Sequence, residues 1–136
     1  MPMRAHRRIG FADRLAEMKL LSGWCIERRR QQLHVAQERL ADDTRITSRW
    51  IREIESGNPR TTLDDHLKCA AALDLPVGCV AIPLLFLERS LRFPRELILT
   101  ETETLEDRCI NAVSDQILGQ LRRTLGRDLA AHEASD

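Results

Sequence analysis

Arg49, Arg52 and Glu53 lie close together in TSRWIREIESG, residues 47–57. At about 100° per residue the two arginines fall roughly 60° apart on one side of a helix, away from the side marked by Ile51 and Ile54. A guanidinium presents two donors in a fixed fork that matches O6 and N7 of guanine, and a carboxylate accepts from N4 of cytosine. This is chemistry suited to reading base edges in a major groove. A charged helix face met alone is more often simply solvated, so the surrounding elements decide its meaning.

The segment carries its own start and stop signals. Thr47 is a good N-cap, residues 48–55 supply the body, and Gly57 with Asn58 and Pro59 ends it. Across a turn at Thr44, Arg45 and Ile46, residues 37–43 read as a second helix with Leu40 and Ala41 inward. Upstream, Phe11, Leu15, Met18 and Leu21 recur at helical spacing and predict a short amphipathic helix. Ser22 is expected to cap another, loosened at Gly23 and ending near Gln32.

Downstream, Thr62 caps a helix whose inner face is expected to be Leu63, Leu67, Cys69, Ala70 and Ala71. Asp64 and Asp65 complement its dipole. Pro76 fits the first turn of an apolar helix through Phe86, a segment that must be covered. Residues 96–102 suit a short strand or a linker. From Thr104, read as a cap, Leu105, Cys109, Val113, Ile117, Leu121 and Leu125 recur at four-residue steps with Ile110 and Leu118 beside them, up to a stop at Gly126. A partner helix is the natural acceptor for that stripe.

Composition fits an ordinary globular chain: 136 residues, 43% hydrophobic and 31% charged, with two Trp, three Phe and no Tyr. Aliphatic residues must therefore build the core, which favours helix-on-helix packing. The net charge is zero, yet residues 1–60 hold 13 Lys/Arg against 8 Asp/Glu and residues 61–136 hold 8 against 13. A basic half joined to an acidic half implies different partners for each. Arg4, Arg7 and Arg8 form a basic arm that either enters a minor groove or stays mobile.

Several classes find no support. The cysteines (25, 69, 79, 109) lack paired spacing and read as buried, reduced thiols of a cytoplasmic protein, not a metal site or disulfide frame. No run of about 18 apolar residues exists to span a membrane, and the charged N-terminus has no apolar segment behind it. His6, His34, His66 and His132 show no ligand or triad spacing, and no Ser or Cys has an activating neighbour. No enzymatic activity, metal or cofactor is expected.

Ile26 and Arg30; Gln37, Leu40 and Ala41; Ile46, Thr47, Ile51, Glu55 and Gly57; and Ala72, Leu73 and Leu75 together make residues 22–86 resemble the phage-repressor and Cro-type helix-turn-helix family, the xenobiotic response element class. The resemblance implies a five-helix DNA-binding domain over 22–86; with the N-terminal arm and short helical extension read over 1–21 and the C-terminal amphipathic segment read over 87–136, for oligomerisation or partner binding, the expected chain is all-α. It further implies a dimer on double-stranded DNA with half-sites one helical turn apart. Gln37 would bond a phosphate, and Ser48, Arg49 and Glu53 would approach bases.

With Arg45, Thr47, Trp50, Arg52, Asn58 and Arg60 these residues form the expected DNA-facing set. Arg30 and Glu55 would form a buried ion pair. Arg45 departs from the Gly usual in the turn, Trp50 from a small or polar residue, and His34 with Val35 from the usual loop pair. Trp50 suits core-edge packing better than a thymine methyl. The function implied is sequence-specific transcriptional regulation, as a dimeric repressor. The alternative is an antitoxin-like module whose residues 87–136 bind another protein.

Overall fold

A single helix, α1, runs from Phe11 to Gln32 without a break at Ser22. The computed structural model describes residues 10–135, so the basic arm with Arg4, Arg7 and Arg8 lies outside the described residues. After α1 come α2 (Gln37–Thr44), α3 (Ser48–Glu55), α4 (Leu63–Ala72), α5 (Gly78–Glu88) and α6 (Arg95–Ala134). The described residues are all-helical, with no strand among them. They divide into two units, the first ending at Thr102 and the second beginning at Glu103.

The expected cap at Ser22 is corrected by what its side chain does. Both Ser22 and Gly23 are buried, and both serve tertiary packing. A Cβ on Gly23 would fall on the carbonyl oxygens of Ile54 and Glu55, so Gly brings α1 against the end of α3 and does not loosen a junction. Ser22 Oγ is 2.8 Å from His66 Nδ1 of α4. Helix propensity, worth at most about 1 kcal/mol at such a glycine, yields to these contacts.

In the first unit α1 packs against α3, α4 and α5, while α2 packs against α3 and α4. Ile26, Leu40, Ile51, Ile54, Cys69 and Leu73 meet at the centre of the core. Ala71, expected inward, is exposed, and His66 takes the buried place on α4. Proline placement also differs: Pro76 precedes α5, and Pro83 is accommodated inside it.

Five helix ends share one device. His34, Arg45, Gly57, Asp74 and Ser90, one after each of α1 to α5, have φ between 52° and 75°. The residue after each sends its N–H back five positions: Val35 to Arg30, Ile46 to Ala41, Asn58 to Glu53, Leu75 to Ala70 and Leu91 to Phe86. These bonds satisfy terminal carbonyls and fix the exit of the chain.

Residues 96–102, expected as strand or linker, begin α6. Arg95 lies over the Trp24 ring at 5.5 Å, and buried Thr102 meets Cys79, Sγ to Oγ1 3.6 Å. Seven residues are about two helical turns and bring these positions to one face, whereas an odd separation in a strand would put them on opposite faces. Thr104 and Gly126 lie within α6 and neither starts nor ends it.

Candidate functional site

The face expected to read DNA is built from α2, its turn and α3. Leu40 and Ala41 bury α2. Arg45 then adopts the left-handed conformation at φ 58° and ψ 31°, with its N–H on Ala41 O. Thr47 caps α3 by accepting from the Trp50 N–H at 3.2 Å. Ile51 and Ile54 are fully buried, so the inner side of this eight-residue helix is wholly committed.

Glu55, at the end of that inner side, is 7% exposed. It accepts from Arg30 Nε and, through Oε2, from Arg30 Nη2 at 3.2 Å. Gln37 Nε2 donates to the same Oε2 at 2.9 Å. Arg30 Nη1 also donates to Val35 O at 2.9 Å. One guanidinium and one amide thus join α1, the loop before α2, α2 and α3. Three charge-assisted donors compensate a carboxylate that burial would otherwise penalise.

Gln37 was expected at a phosphate; instead its amide turns onto Glu55, leaving one N–H for an outside group. Trp50 is also seated internally: its Nε1–H donates to Asp65 Oδ2 at 2.8 Å, tying α3 to α4. Glu53 was expected to accept from cytosine. It is held instead by Asn58, whose Nδ2 donates to Oε2 at 2.7 Å. Asn58 Oδ1 in turn accepts from Arg60 N, so Asn58 builds the loop after α3.

The outward side keeps Arg49 and Arg52. Both are exposed, as are Arg45 and Arg60, and among the described residues none of these four guanidiniums has a hydrogen-bond or ion-pair partner. Thr47 is exposed and Ser48 half-buried at the start of α3. The structure therefore keeps four free cations on the turn, helix and following loop, and turns Gln37, Trp50, Glu53 and Asn58 toward scaffolding.

Some residues that matter here were not singled out from the sequence. Lys19 Nζ of α1 donates to Pro59 O at 2.9 Å, bracing the loop beyond α3. Buried His66 bridges Ser22 and Thr61. Thr61 Oγ1 gives its proton to Asn58 O at 2.6 Å, so it accepts from His66 Nε2 at 2.8 Å, and Nδ1 accepts from Ser22. Burial, with Lys19 nearby, holds the imidazole at about 4, below its ordinary 6.5, so it is neutral. Its sequence signal was its place three residues after Leu63 and four before Ala70, on the inner stripe of α4.

Among the described residues no group of three or more His, Cys, Asp or Glu could hold a metal ion, and no helix is long and apolar enough to cross a membrane. Cys25 and Cys69 are buried, and burial pushes both thiols up to about 12, which makes them poor nucleophiles. Cys109, expected buried, is exposed. No family model, curated protein or solved structure matches the chain.

Proposed function

We propose that the protein is a sequence-specific, double-stranded-DNA-binding transcriptional regulator of the repressor and Cro type, acting as a dimer. In this reading α2, the Arg45 turn and α3 form a helix-turn-helix, and α3 enters the major groove. Arg49 and Arg52 donate to guanine edges. Arg45 and Arg60 neutralise phosphates, with Thr47 and Ser48 near the backbone, and the remaining N–H of Gln37 is available to a phosphate. Trp50, Glu53 and Asn58 hold the reading helix and its loop in place.

One observation carries the reading: α3 is tied down on its inner side by Ile51, Ile54 and Glu55, while both guanidiniums on its outer side have no partner among the described residues. Holding charges outward on a rigid short helix suits an external anionic partner better than self-stabilisation. The test is selection of bound duplexes from a random pool, followed by salt titration. Enrichment of one motif supports the reading, and affinity no tighter than for random DNA overturns it.

A second reading draws on the second unit, whose large apolar side chains from Ile110 to Leu129 are exposed. There the protein is the antitoxin-like half of a pair, with DNA binding used for autoregulation. A stoichiometric heterologous protein co-purifying with the native chain favours it, and a clean homodimer favours the first.

A further inference from the structure

After α5 the chain turns at left-handed Ser90, with the Leu91 N–H on Phe86 O, and residues 92–95 return beside α1. Phe93 meets Phe86 edge to face, ring centres 5.1 Å apart, and packs against the core, so the return is anchored. Between it and α1 lies a cavity of about 470 Å³, within the range of roughly 300–1,000 Å³ typical of small-molecule sites.

The cavity has an apolar part and a charged part. Half-buried Leu21 of α1, Leu87 of α5 and Phe93 form the first, extended by Leu20, which is 52% exposed. Glu17, Arg92 and Arg95, all exposed, form the second. Among the described residues Glu17 and Arg92 have no hydrogen-bond or ion-pair partner, and Arg95 has only the Trp24 ring. Stacking on a ring occupies the face of a guanidinium and leaves its in-plane N–H donors free. Two guanidinium forks beside an apolar wall match a carboxylate joined to an apolar body. With Glu17 opposing them, the two arginines leave a single positive charge, which suits a monoanion and disfavours a cation.

We propose that this cavity binds a monocarboxylate with an apolar chain, its carboxylate on Arg92 and Arg95 and its chain against Leu20, Leu21, Leu87 and Phe93. Removing the chain from water supplies most of the affinity. The guanidiniums orient the ligand and select its charge. The proposal involves no DNA, so it and the reading above can fail independently.

Octanoate is the probe, titrated calorimetrically into the full-length protein at pH 7.5. It should bind saturably at one site per chain. Acetate lacks six of its methylenes and should bind at least about a hundredfold more weakly. Octan-1-ol and octylammonium keep the chain but not the carboxylate, and each should bind at least about tenfold more weakly. Arg92→Gln, which has no internal partner to lose, should weaken octanoate about tenfold at an unchanged urea midpoint, and Glu17→Gln should tighten it. No saturable binding of octanoate, equal affinity for octan-1-ol, or an Arg92→Gln variant that binds octanoate as the parent does would overturn the proposal.

Discussion

Arg30 and Gln37 converge on one oxygen of Glu55: Arg30 Nη2 and Gln37 Nε2 lie 3.2 Å and 2.9 Å from Oε2. This junction fixes the last turn of α3 to α1 and α2 together. Replacing Glu55 by Ala leaves a nearly buried guanidinium without its partner and should destabilise the fold by about 3–5 kcal/mol. Urea unfolding should show a lower midpoint at unchanged slope. Arg30→Ala should behave alike, and the double variant should lose less than the sum of the two.

Arg49→Ala and Arg52→Ala should separate binding from folding. Neither side chain has an internal partner among the described residues, so each unfolding free energy should stay within about 0.5 kcal/mol of the parent. Affinity for the selected duplex should fall by about 1–3 kcal/mol for a lost bidentate base contact, with relaxed preference at one base position. Arg60→Ala should instead weaken all sequences and reduce the salt slope by about 0.9.

His66 gives a pH dependence with a defined sign. Its pKa is about 4 in the folded protein against an ordinary 6.5, so the unfolded chain binds more protons between those values. Its contribution is complete above pH 6.5 and is lost as pH falls toward 4, to an extent on the order of 3 kcal/mol. Urea midpoints at pH 7.5 and 4.5 should differ more for the parent than for His66→Gln. An equal difference in both would remove His66 as the source.

Glycines should divide by surroundings. Gly23→Ala would drive a Cβ into the carbonyls of Ile54 and Glu55, and Gly57→Ala would meet Leu20 Cα at 2.6 Å at a φ of 75°. Each should destabilise by about 1–3 kcal/mol. Gly126 has nothing within 4 Å of an added Cβ, and Gly126→Ala should raise helix stability by up to about 1 kcal/mol. Arg45→Gly, which relieves the left-handed turn, should stabilise by about 1 kcal/mol. Thermal or urea melts of the set give the ranking.

Helices α2 and α3 were legible because their signals are local. Thr47 as cap, Gly57 as stop and the Ile51/Ile54 side all follow from positions within a few residues. Ser22 and Gly23 misled because their types signal a boundary, while their burial is decided by His66 and the α3 carbonyls, far away in sequence. Residues 96–102 misled for a similar reason: a short β-branched run suited a strand or a linker, but Arg95 and Thr102 are anchored seven residues apart by Trp24 and Cys79. The arginines of the candidate site were visible from spacing. The inward turn of Gln37 and Glu53 depends on partners that no local pattern specifies, whereas Trp50 takes the core-edge place expected of it. Of the five left-handed helix exits, only Gly57 announced itself by residue type.

The shortness of α3 has a consequence for its motion. Eight residues are too few for a stable isolated helix, so its order derives from Ile51 and Ile54 in the core and from the ties at Arg30, Gln37 and Asp65. Opening α3 alone would break all of these at once. Its central amides should therefore exchange with deuterium only when the whole first unit unfolds, at the global free energy, which makes the outward guanidiniums a fixed array and not a surface that rearranges on its own.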